Sequence, residues 1–108
     1  MHATPLSAFA TFGDEKMKKL DVFRSPRFLL DVYCLRPGQA QRPHSHAASD
    51  KVYVVLEGRC RFQIGTEAEE HGPGTAVLAP AGEEHGVENV SAEPARLLVL
   101  VTPPPEHA

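Results

Sequence analysis

A chain of 108 residues, 42% of them hydrophobic, is long enough for one buried core and too short for two. Its formal charge of -3, with no basic stripe, offers nucleic acid or an anionic membrane nothing to bind, and no run approaches the roughly 20 apolar residues of a membrane-spanning helix. The opening stretch MHATPLSAFATFG has neither a positive leader nor a sustained apolar core, so the expected compartment is the cytoplasm.

In chain order, residues 1–25 read as an N-terminal extension, a strand or short helix that packs on the remainder of the domain; DEKMKKL at 14–20 would be the helix, with Asp14 as its cap. Residues 19–23 and 27–35 are richer in β-branched and aromatic side chains, and Ser25-Pro26 between them reads as the turn of a hairpin in which Phe28, Leu30, Val32 and Cys34 share one face. Residues 51–57 are apolar on both sides, the pattern of a strand buried on two faces. Counting by twos puts Lys51, Tyr53 and Val55 inside a small barrel and Val52, Val54 and Leu56 outside, where another sheet of the same chain or a second subunit must cover them. Beyond Gly58, residues 60–64 alternate as a half-buried strand, while Glu67, Glu69 and Glu70 read as a solvated loop or tight turn that leaves His71 exposed. Residues 75–79 and 95–102 supply two further strands, the second stopped by three prolines, and 106–108 form a loose tail. Cys34 and Cys60 lie inside apolar strands and are expected as buried thiols.

His44 and His46 stand two apart, so an extended backbone places both imidazoles on one side, roughly 6 to 7 Å apart along the chain. Neutral imidazole is a favoured ligand of zinc, copper, iron and nickel, and a third histidine delivered by the fold would complete a plausible shell. His85 is the candidate, because Pro80-Ala81-Gly82 bends the chain just before it.

Gly38, five residues, His44-x-His46 and an apolar strand ending at Gly58 resemble the first motif of the cupin superfamily. Gly74, five residues, Pro80-x-Gly82, two residues, His85, three residues and Asn89 resemble the second at every defining position. The resemblance implies an all-β fold, a double-stranded β-helix or jelly-roll barrel over residues 26–105, holding one divalent transition metal ion (Fe, Mn, Ni, Zn or Cu) through His44, His46 and His85. Cupins usually add a glutamate four or five residues after the second histidine; here Asp50 and Lys51 occupy those positions. An ammonium has no lone pair to give, and Asp50 reaches the metal only if a bulge re-aims it, so open coordination positions are expected. Lys51 in the lumen would neutralise a substrate carboxylate or enolate, or act as an acid.

The function so implied is a metal-dependent enzyme, dioxygenase-like or related, acting on a small anionic or chelating oxygen-bearing molecule. The alternatives are a non-catalytic module that binds a metal or small ligand, a sugar isomerase or epimerase, and a barrel whose site has decayed. Whether the site turns over a substrate stays open at this point. The expected partners are a small-molecule ligand and a second copy of the chain in a homodimer, not nucleic acid or membrane.

Overall fold

The computed structural model describes residues 1–105; the expected tail at 106–108 lies outside them. After a short 3-10 turn at Leu6–Ala8 the described chain is nine strands: β1 Lys18–Ser25, β2 Phe28–Leu35, β3 Ala40–His44, β4 Asp50–Glu57, β5 Cys60–Ile64, β6 Glu67–His71, β7 Ala76–Ala79, β8 His85–Asn89 and β9 Ala95–Thr102. They form two antiparallel sheets, ordered β1-β2-β9-β4-β7 and β3-β8-β5-β6, which face each other as the two walls of a jelly-roll barrel.

Period-two alternation decides which side chains fill the space between the walls. Tyr33 and Leu35 of β2, Tyr53 and Val55 of β4, and Leu97, Val99 and Val101 of β9 are buried there against Cys60, Phe62 and Val87 of the smaller sheet. Each such aliphatic or aromatic side chain contributes about 1.5–3 kcal/mol on leaving water, so the wall-to-wall contact carries most of the stabilisation. Both thiols are buried, as expected of two apolar strands. Val52, Val54 and Leu56 are half-buried on the outer surface and Lys51, Tyr53 and Val55 are buried on the inner one, as the alternation requires.

On β2 the shared face of Phe28, Leu30, Val32 and Cys34 is the outer one; the core takes Leu29, Tyr33 and Leu35 instead. Val32 and Cys34 are nevertheless fully buried, and the N-terminal segment runs close to that surface. Cys34 Sγ lies 3.6 Å from the Phe9 carbonyl, and Arg96 Nη1 donates to the carbonyls of Leu6 (2.9 Å) and Phe9 (3.1 Å). Arg36 Nε and Gln39 Nε2 both donate to the Gly13 carbonyl, at 3.1 and 2.7 Å. No helix forms at 14–20: residues 14–16 are a bend and β1 begins at Lys18. The stretch has no apolar stripe for a helix to bury, whereas its last three residues, Lys18 to Leu20, pair with Cys34, Tyr33 and Val32 of β2. The acidic run 67–71 likewise pairs with β5 as strand β6 while its glutamate side chains stay exposed. Charged residues on an outer strand blunt the sheet edge, which a reading by polarity alone takes for a loop.

Two irregular strands shape the interior. In β1 the register slips between Asp21 and Phe23, so Lys19 faces Tyr33, Asp21 faces Asp31 and Arg24 faces Leu29. The extra residue turns Arg24 to the side of Lys19 and Asp21. In β3 the register slips between Gln41 and His44, which face Val87 and His85 respectively. Gln41 and His44, on opposite faces of an ideal strand, thus both point inward.

Candidate metal centre

His44 ends β3, His46 lies in the following loop and His85 begins β8, directly across the ladder from His44. The close approach of β3 to β8 depends on Gly86, where an added Cβ would sit 2.9 Å from Pro43 N and 3.0 Å from the Gln41 carbonyl. Gly82, with φ of 84°, holds a left-handed turn that few side chains tolerate, and its N–H donates to the His46 carbonyl at 2.9 Å. This bond ties the turn before His85 to the loop that carries His46. Asp50 completes the brace: its Oδ1 accepts the Ala81 N–H at 2.9 Å. Asp50 is exposed and serves the turn, outside the histidine cluster.

The three imidazoles converge, with ring centroids 4.3 Å apart for His44 and His85, 5.0 Å for His44 and His46, and 5.9 Å for His46 and His85. One nitrogen from each lies within 4.8 Å of the others. His44 Nδ1 is 2.9 Å from the Arg42 carbonyl and His85 Nδ1 is 3.0 Å from the Glu83 carbonyl. A carbonyl only accepts, so each Nδ1 carries the proton and leaves Nε2 with its lone pair. His85 Nε2 is buried and has no hydrogen-bond partner. Leaving such an acceptor unpaired costs about 1–3 kcal/mol, and a cation at the junction of the three rings satisfies it. Burial, seconded by the nearby Lys51 cation, pushes the His85 imidazole down to about 4, and burial lowers His44 and His46 as well. The triad is therefore neutral near pH 7, the state in which imidazole binds a metal. These residues fit a divalent transition ion.

Lys51 is 2% exposed and lies on the inner face of β4. Its ammonium donates to Gln41 Oε1 at 2.8 Å and sits 5.0 and 5.1 Å from the ring centroids of Tyr33 and Tyr53. Among the described residues it has no carboxylate within ion-pair distance. Burial first, and then Lys19, pull its pKa from 10.5 to about 7. His44, His46, Lys51, Gln41, Tyr33 and Asp31 all line one cavity of about 480 Å³, which Lys19 and Arg24 also reach. A second cavity of equal size opens at the opposite seam beside Phe62, Leu78, Glu69, His71 and Glu83, and none of the three clustered histidines lines it. His71 is held there by Glu69 Oε1 at 2.8 Å, away from the triad.

Lys19, Arg24, Asp31, Tyr33 and Gln41 were not singled out by the sequence. Pro43 inside a strand was the one available signal of the β3 irregularity, since proline sits in strands at edges and bulges. Nothing comparable marks the slip in β1.

The model of the cupin domain family matches residues 31–101. An uncharacterized protein of Streptomyces coelicolor is 34% identical over 87 residues, covering 79% of each chain; of two further curated relatives the chain spans only 51% and 46% of the length. The crystal structure of a Thermus thermophilus protein superposes with a TM-score of 0.95 at 50% identity, over 97% of this chain and 100% of that one. An RmlC-like cupin protein from Desulfovibrio desulfuricans gives 0.85 at 28% identity, over 96% and 98%. With its two facing sheets, its two histidine motifs meeting at one point and these likenesses, the chain belongs to the cupin domain family.

Proposed function

We propose that this protein is a metal-dependent enzyme that binds one divalent transition ion through His44, His46 and His85 and acts on a small anionic, oxygen-bearing molecule. A bound ion would act as a Lewis acid on a substrate oxygen at its open positions. The chain's own residues supply the rest. The Arg42 and Glu83 carbonyls fix the ring orientations of His44 and His85, so the nitrogens are set before any ligand arrives. Lys51, where a cupin usually has a carboxylate, meets the negative charge of the substrate, and Gln41 aims its ammonium. With a pKa near 7, Lys51 can also release or return a proton at an enolate oxygen. Tyr33 and Tyr53 wall this ammonium off from water, which strengthens its pull on an anion.

The observation that carries this reading is the buried Lys51 ammonium, which lines the same cavity as His44 and His46 and has no carboxylate within ion-pair distance among the described residues. Asp31 offsets that charge only through space, and a buried cation with no carboxylate in contact is expected where a ligand brings the anion. The test is Lys51→Glu in the cobalt-loaded protein, titrated with oxalate and followed in the visible spectrum. The glutamate variant is expected to hold metal more tightly and oxalate more weakly. Metal and oxalate binding equal to the parent's would refute the role of Lys51.

A further inference from the structure

Lys51 is not the only ammonium on the Tyr33 ring. Lys19, directly across the β1–β2 ladder from Tyr33, places its Nζ 5.4 Å from the same centroid that Lys51 approaches to 5.0 Å. Neither ammonium has a carboxylate within ion-pair distance among the described residues. The third cation on the cavity wall is already committed, since Arg24 Nη2 donates to Asp21 Oδ1 at 2.6 Å and to Asp31 Oδ1 at 3.1 Å. Among the described residues Asp31 is the one carboxylate lining the cavity; its direct contacts go to Arg24, and it reaches the two lysines only through space. Two like charges against one ring repel, and an acid group between or beside them turns the repulsion into attraction. Lys51 is buried and Lys19 is exposed at the rim, so the pair marks an inner and an outer station along the same wall.

We infer that the ligand is a short dianion: its chelating end takes the histidine centre next to Lys51, and a second acid group rests at Lys19 near the cavity mouth. The inference rests on the proposed metal site and specifies its substrate class. A cavity of about 480 Å³ leaves room for a hydroxy- or oxo-dicarboxylate together with some water. Lys19 is then a specificity residue that recognises the end of the ligand remote from the metal.

Malate and lactate share the same hydroxy-acid chelating end and differ by one carboxylate, so they separate the two stations. Calorimetric titration of the zinc-loaded protein is expected to show malate bound about tenfold more tightly than lactate, the effect of one well-placed charge pair. Lys19→Met should remove that advantage while changing lactate affinity less than about twofold, and Lys19→Arg should preserve it. Zinc content, measured alongside, should be unchanged in both variants. Equal binding of malate and lactate by the parent, or equal loss of both in Lys19→Met, overturns the dianion inference and leaves the metal site standing. Absence of binding by both acids to zinc-loaded protein overturns the anion reading of the site along with it.

Discussion

Replacing Lys51 with methionine separates what the residue does for the fold from what it does for a ligand. The ammonium has a folded-state pKa of about 7 against 10.5, and that difference at about 1.4 kcal/mol per pH unit places the cost of its charge in the folded protein at about 5 kcal/mol. Against this stand the contacts it makes: a hydrogen bond to Gln41 worth about 1–3 kcal/mol to a charged donor, and two aromatic faces worth about 0.5–2 kcal/mol each. Those contacts, about 2–7 kcal/mol together, are lost in methionine, which keeps nearly the same volume, so cost and contacts come close to balance at pH 6 and the pH dependence carries the test. The sign of the pH dependence is fixed by proton counting. Below pH 7 both folded and unfolded parent hold the proton and the cost is felt in full; between about 7 and 10.5 only the unfolded chain holds it, so parental stability rises toward alkaline pH. Other groups that titrate there, including the buried thiols, are common to both proteins and cancel in the difference. Urea unfolding of the metal-free proteins, followed by circular dichroism because the chain has no tryptophan, should show the stability difference moving in the parent's favour by several kcal/mol between pH 6 and pH 10, the span of the Lys51 shift. A difference that does not change with pH, or one that moves in the variant's favour toward pH 10, would refute the buried-cation argument.

Alanine at His44, His46 or His85 is expected to release metal, as measured by elemental analysis of untagged protein, while the circular dichroism spectrum stays that of the parent; full metal content in all three variants would show the assignment wrong. Asp50→Ala should lower stability by about 1–2 kcal/mol, since it strips the Ala81 N–H of its acceptor, yet leave the number of bound ions per chain unchanged; loss of metal together with an intact fold would instead make Asp50 a ligand. Gly86→Val is expected to loosen metal binding more than tenfold, on the order of the loss from a displaced ligand shell, because the new side chain must push Pro43 and the Gln41 carbonyl away from β8; unchanged affinity would mean that β3 yields freely. We also propose a homodimer through the outer surface of the five-stranded sheet, where Val52 and Val54 stand beside Leu78, itself 57% exposed. Light scattering at micromolar concentration checks it, and a monomer there removes the proposal.

Much of the architecture comes from alternation. The buried and half-buried faces of β4, the limits of β9, the Ser25-Pro26 hairpin and the burial of both thiols are consequences of side-chain period and turn chemistry. The three histidines were visible because glycine and proline spacing marks the turns that deliver them. What stayed hidden depends on broken alternation. Gln41 stands an odd number of residues from His44 and Arg24 an odd number from Lys19, so a regular strand assigns each to the wrong side; one extra residue in each strand reverses that. Asp31 lies between the apolar Leu30 and Val32, and the shared face of Phe28, Leu30, Val32 and Cys34 does not by itself say which side of β2 lines the interior. The 14–20 stretch misled for a different reason, since its charges are compatible with helix and strand alike and pairing with β2 decides the matter.

The cavity lies between β1 and β3, the outermost strands of different sheets, and no backbone hydrogen bond of the two ladders joins them. The walls can therefore part along this seam without breaking a ladder, so entry of a ligand need not wait for unfolding. The hydrogen-exchange pattern should record it: amides of β9, paired on both sides, exchange slowest, while those of β1 and β3 exchange soonest. A molecule touching Lys19 on one wall and His44 on the other would act as a clasp across the seam, slowing exchange in both border strands together. Occupancy of the site would then be legible in the opening motion of the barrel itself.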